Sequence, residues 1–101
     1  MVEIIWTKRA AQQFERAVKY ISKDRGTYYA NIVRLGILEK VDVLKIQPTI
    51  GSLEPLLSHK KYEYRFLVKW SYKIIYRHEK DHAIISRIFH TSRNPKNLKG
   101  V

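Results

Sequence analysis

Residues 62–98, YEYRFLVKWSYKIIYRHEKDHAIISRIFHTSRNPKNL, decide the fold. From Tyr62 to Trp70 every second residue is aromatic or aliphatic, the period-two pattern of a half-buried strand. Tyr72 to His78 reads as a second strand and Ala83 to His90 as a third. The connections, around Ser71 and from Glu79 to His82, are too short for a parallel return, which takes about a dozen residues. The stretch therefore predicts a three-stranded antiparallel meander.

Cations crowd this meander. From Lys60 onward eleven lysines and arginines face three acids (Glu63, Glu79 and Asp81), a net +8 out of the +11 of the whole chain. Depending on register, one sheet face gathers Arg65, Lys73 and Arg77, with Arg87 and Arg93 nearby. A solvated outer face is the plain reading of such charges. But a field of one sign raises self-repulsion that solubility does not require, and this favours an anionic partner: nucleic acid, a ribosome or an acidic protein.

Outward from the sheet, Val2 to Trp6 is a short β-prone run, and Thr7 suits the N-cap of a helix. Ala10, Phe14, Ala17 and Ile21 form one apolar stripe on that helix, with Ala11 and Val18 beside it, and Gly26 is placed to end it. Thr27 is expected to cap a second helix reaching about Ile46, with Ala30, Val33, Ile37, Val41 and Leu44 as its stripe. Gly36 sits inside this helix, where glycine costs roughly 1 kcal/mol relative to alanine, so close packing against a neighbour is expected. Gln47 to Lys61 reads as an ordered loop, and Asn94-Pro95 opens a last turn or short helix. The sum is a single α+β domain over residues 1–101: an N-terminal strand and a two-helix hairpin packed on a small antiparallel sheet, in two layers.

The chain has no cysteine, which excludes a disulfide framework and a thiolate metal centre. No stretch is long enough to span a bilayer and no secretory leader is evident, so a cytoplasmic location is expected, without a membrane partner. His78 and His82 fall across a turn with no carboxylate cluster, and neither a metal nor a cofactor is expected. His90, ending the last strand before Thr91-Ser92-Arg93, is a candidate proton carrier beside phosphate-binding cations. The alternating tyrosines could stack bases, but Tyr64 and Tyr76 read better as core beneath the helices.

Several motifs in this order resemble the RelE/ParE superfamily of bacterial type II toxin–antitoxin (plasmid stabilisation) toxins. They are Ile4-Ile5-Trp6-Thr7 before Ala10-Ala11; Glu63-Tyr64-Arg65-Phe66-Leu67-Val68; Tyr72-Lys73-Ile74-Ile75-Tyr76; and Arg87-Ile88-Phe89-His90-Thr91-Ser92-Arg93-Asn94-Pro95. The resemblance implies a basic toxin neutralised by an acidic antitoxin, as a homodimer or a toxin–antitoxin hetero-oligomer. Its target is then DNA gyrase if the chain is ParE-like, or ribosome-bound mRNA if it is a RelE-like endoribonuclease. In the nuclease case Arg65, Lys73, Arg87 and His90 would be catalytic. Leu67 stands where the nucleases often carry a lysine, and Leu98 about where they carry a tyrosine, so the ParE-like reading leads. Lys61, Arg65, Lys69, Lys73, Arg77, Arg87 and Arg93 form the expected nucleic-acid or partner surface. A non-toxic nucleic-acid-binding module is the remaining alternative.

Overall fold

The computed structural model describes residues 1–92, Leu98, Gly100 and Val101. The elements run β1 (Glu3–Trp6), α1 (Lys8–Arg25), α2 (Thr27–Asp42), β2 (Ser52–Leu53), β3 (Tyr64–Lys69), β4 (Tyr72–Glu79) and β5 (His82–His90). Short 3-10 turns follow α2 at Val43–Lys45 and β2 at Pro55–Leu57. The meander β3-β4-β5 is antiparallel as expected. Among the described residues it is the centre of a five-stranded sheet in the order β1-β5-β4-β3-β2. The sheet is mixed rather than antiparallel throughout, because β1 lies parallel to β5, Trp6 opposite Ile85. The whole helical hairpin separates β1 from the meander, which gives the chain the length a parallel return needs. The Asn94-Pro95 turn falls outside the described residues.

Thr7 caps α1 as its residue type predicts: the Ala10 N–H donates to Thr7 Oγ1 at 3.1 Å. Gly26 ends α1 with φ 96°, in the region a side chain disfavours. Its N–H donates to the Ser22 carbonyl. Thr27 does not cap α2 but is its first residue, and Gly26 itself occupies the cap position. The α2 stripe Ala30, Val33, Ile37, Val41 and Leu44 is buried throughout, with Leu44 already in the 3-10 turn that replaces the expected last helical turn. On α1 the buried set is Ala10, Phe14, Val18 and Ile21, so Val18 rather than Ala17 lies at the centre of the stripe.

The strand parity carries the main surprise. The face under the helices takes Leu67, Ile74, Tyr76, Ala83, Ile85 and Ile88. The opposite face has its own small core, in which Leu57 and Leu98 cover Tyr64 and Ile75, with Phe66, Phe89 and Val101 at its margin. Tyr76 is thus core beneath the helices as expected, whereas Tyr64 is buried on the other side of the sheet. Both faces of this sheet are covered, so an alternating pattern could not tell which set meets the helices.

Gly36 meets its neighbour at the tip of the β3–β4 hairpin. A Cβ there would lie 2.3 Å from Trp70 Cη2 and 2.7 Å from Cζ3, so the indole lies directly on the α2 backbone. Trp70 holds φ 52° to reach it. Gly36→Ala is expected to push the indole into water while gaining about 1 kcal/mol of helix propensity. In a Trp6→Phe background its emission should shift to the red with a stability change under about 1 kcal/mol. Unshifted emission would show that the contact does not hold the ring.

Candidate functional site

The register decides where the predicted cations go. On β3, Arg65 faces Tyr76 and Lys69 faces Tyr72 across the strand pair, which puts both on the helix side with Leu67. On β4, Lys73 and Arg77 share the other face with Ile75, opposite Val68 and Tyr64. Arg65 therefore does not join Lys73 and Arg77 on one face.

Arg87 does join them, and the reason is a β-bulge. Ile75 faces Arg87 but Tyr76 faces Ile85, so Ser86 is an extra residue in β5. Without it Arg87 and Ile85 would share a face; with it Ile85 enters the helix-side core and Arg87 is re-aimed to the opposite side. The freed Ser86 carbonyl accepts from Arg87 Nη1 at 2.7 Å and from Thr7 Oγ1 at 3.3 Å. Arg87 is only 6% exposed. Burial pushes its guanidinium below the usual value, the neighbouring Arg9 cation adds to this, and Tyr64 opposes it.

Most of these cations are committed to the fold. Lys73 Nζ donates to Glu54 Oε1 at 2.7 Å and lies 4.3 Å from the centroid of the Phe66 ring. Glu54 is 2% exposed, and among the described residues its Oε2 has no partner. Arg77 pairs with Glu79 and stacks over Tyr62, 3.9 Å from the ring centroid. Arg65 donates to the Gly51 carbonyl at 2.8 Å and to Glu63 Oε1 at 2.9 Å. Gly51 in turn donates its N–H to Tyr76 Oη at 2.9 Å. Burial raises the Tyr76 phenol above its ordinary value, against the smaller pull of the Gly51 hydrogen bond and of Arg65. Arg65, Tyr76 and Lys73 thus hold the segment between Ile50 and Leu57 around the free edge of β3. That segment was expected to be a loop, but it contributes the two-residue strand β2, which pairs Ser52 with Phe66 and Leu53 with Arg65.

The remaining predicted positions lie apart. Lys69 Nζ is 4.6 Å from the Trp70 ring centroid at the hairpin tip, and Lys61 Nζ is 5.7 Å from that of Tyr62. His90 faces Tyr72 across β4 and β5, edge-on to its ring, on the helix side. The Ser92 N–H donates to its Nδ1 at 3.2 Å, so the neutral ring carries its proton on Nε2. The sheet lies between His90 and the Lys73–Arg87 face, so the four residues of the expected nuclease centre do not converge. Arg93 falls outside the described residues.

Two features escape a reading of the sequence. Glu54 is the single acid of residues 47–61, and its isolation among apolar and basic residues was the available signal for a buried pair. The other is a cleft of about 1000 Å³ between α1 and the end of β5. Its first-turn cations Lys8 and Arg9 stand at the helix end where acids are favoured, and that inversion was legible. Among the described residues no group of three or more His, Cys, Asp or Glu could hold a metal, and no helix is long and apolar enough to cross a membrane.

Comparison with known proteins agrees with the architecture. No curated protein sequence matches the chain. A solved structure titled "Chromosomal ParDE TA system from P. aeruginosa" superposes with a TM-score of 0.74 at 22% identity, covering 91% of this chain and 98% of that one. At that identity the likeness shows the fold. The family described as the ParE toxin of the type II toxin–antitoxin system parDE matches residues 4–95. Those residues run from β1 through the meander, and the chain accordingly belongs to the ParE toxins of type II toxin–antitoxin systems.

Proposed function

We propose that this toxin arrests growth by poisoning DNA gyrase and that an acidic antitoxin neutralises it. The observation that carries the reading against mRNA cleavage is the division of the basic set by the sheet. Lys73 is bound to a buried carboxylate and Arg65 to a backbone carbonyl, while His90 lies on the opposite side from Arg87. A phosphorane-stabilising site needs its cations preorganised around one phosphate. The net charge of +11 supports an acidic partner. The exposed face of α2, with Tyr28, Ile32 and Leu35 at i, i+4 and i+7, supplies apolar surface for it.

The test pairs two assays on the purified protein. Gyrase supercoiling of a relaxed plasmid is expected to be inhibited, with cleaved plasmid accumulating, and inhibition should vanish when the acidic protein encoded beside the toxin is added. In a translating extract mRNA is expected to stay intact. Codon-positioned cuts together with undisturbed supercoiling would replace this reading with the RelE-like one. One observation favours that second reading: Lys73, Arg77 and Arg87 do share the face opposite the helices. In that event Arg77→Ala and Arg87→Ala should each reduce cleavage by orders of magnitude.

A further inference from the structure

β1 ends opposite Ile85, so among the described residues the edge of β5 beyond that point has no strand beside it. The N-terminal half of α1 lies there instead, and the Ile88 N–H donates to Gln13 Oε1 at 2.9 Å in place of a strand partner. Between the two runs the cleft of about 1000 Å³, lined on the helix by Lys8, Arg9, Gln12, Arg16 and Tyr20 and on the strand side by His90, Tyr72 and Ser92. Among its described lining residues there is no acid. The one acid of α1 between Lys8 and Lys23, Glu15, is held by Arg34 of α2 through two 2.9 Å bonds.

Three features suit this cleft to an anionic ligand. Lys8 and Arg9 occupy the first turn of α1, where a cation opposes the helix dipole, and the first turn holds no acid to offset them. The same dipole adds its positive end to their charge, so the site has a strong field for anions. Lys8, Gln12 and Arg16 then follow one another at i, i+4 and i+8, exposed along one ridge, at about 6 Å of axial rise per step. That step is comparable to the separation of successive phosphates along a nucleic-acid strand. Finally Tyr20, next on the ridge, leaves 70% of its surface in solvent, and Tyr72 and His90 present rings to the same cleft. Exposed rings beside a cationic track are the components of a single-strand stacking site. A carboxylate-bearing peptide would use the cations but would give the rings no flat partner.

We propose that the cleft between α1 and β5 binds a single-stranded nucleic-acid segment, its phosphates on Lys8, Gln12 and Arg16 and a base on Tyr20. The site uses none of the basic sheet residues and is independent of the target proposed above.

The experiment is fluorescence anisotropy of a short labelled oligodeoxynucleotide of mixed sequence with the full chain, repeated across salt concentrations. Lys8→Ala combined with Arg16→Ala should weaken binding at low salt by about tenfold or more and lower the salt slope by about one per cation removed. Tyr20→Ala should weaken it by about fivefold or more, and Tyr20→Phe should retain it. A charge-matched control, Lys23→Ala with Lys60→Ala, should change affinity less than twofold. Thermal melts of these surface variants should match the parent protein. The proposal is overturned if the oligonucleotide does not bind, or if the control weakens binding as much as the cleft pair. It is also overturned if Tyr20→Ala is silent, or if poly-glutamate of equal charge competes as well as the oligonucleotide, which would make the cleft a seat for an acidic protein.

Discussion

Lys73→Ala is expected to destabilise the protein by about 3 kcal/mol, a fall in Tm on the order of 15 °C for a domain of this size. The cause is the acid left behind. Glu54 is 2% exposed, and Lys73 supplies the one hydrogen bond its carboxylate receives among the described residues. Removing one partner of a buried pair strands a charge, which costs more than the pair contributes. The figure is taken from the low end of the range because the Lys73 side chain keeps 22% of its surface in water.

One control separates this cause from lost packing over Phe66. Lys73→Met combined with Glu54→Leu, which removes both charges, should return to within about 1 kcal/mol of the parent. Urea denaturation of the three proteins measures this. A single-variant cost below about 1 kcal/mol would mean that Lys73 is a surface cation after all, available to a ligand.

Gly51→Ala should be about as damaging, for a steric reason. A Cβ at this position would stand 2.7 Å from the Phe66 carbonyl oxygen, 2.7 Å from Tyr76 Oη and 2.8 Å from Tyr76 Cε1. None of these atoms can retreat cheaply: one is strand backbone, and the phenol belongs to a fully buried side chain. Overpacking typically costs 1–3 kcal/mol, and here the backbone shift also disturbs the bonds from Gly51 to Tyr76 and from Arg65 to Gly51. A total of about 3 kcal/mol follows. The loss should be local before it is global, with faster amide exchange at Glu54 and Leu57, whose N–H groups bond to Tyr64 and Glu54. Tyr76→Phe in the same chain removes one of the clashing atoms, so the double variant should cost less than the two singles added together. Additive costs with unchanged exchange would show that the node does not hold the segment.

The amino-acid pattern made the three long strands, both helices and the Thr7 cap legible, because each follows from spacing within a few residues. The assignment of faces was not legible in the same way. Tyr64, Phe66 and Val68 form the more apolar set of β3, yet Leu67 between Arg65 and Lys69 is the residue turned to the helices. Residues distant in sequence, Leu57 and Leu98, cover the other set, and no local period announces them. The bulge at Ser86 was equally silent. A strand of unbroken alternation would have put Arg87 beside Ile85, and one extra residue reverses that. The basic surface could thus be counted from the sequence, but its division between two faces depended on register, and register is a tertiary property.

The parallel seat of β1 also bears on how quickly a newly made chain becomes harmful. Trp6 pairs with Ile85, and Glu3 with His82, so the earliest strand to be translated must wait for the last one. At the usual pace of synthesis, about 5–20 residues per second, the 76 residues from Thr7 to His82 represent a delay of roughly 4–15 s. Throughout that interval the helical hairpin has no finished sheet to pack on, and the edge of β5 beside which α1 comes to lie does not yet exist. Such distant pairing is also slow to find once the chain is free. A latency is therefore built into the order of the strands, and a neutralising partner made in the same interval would meet the chain before its sheet is assembled.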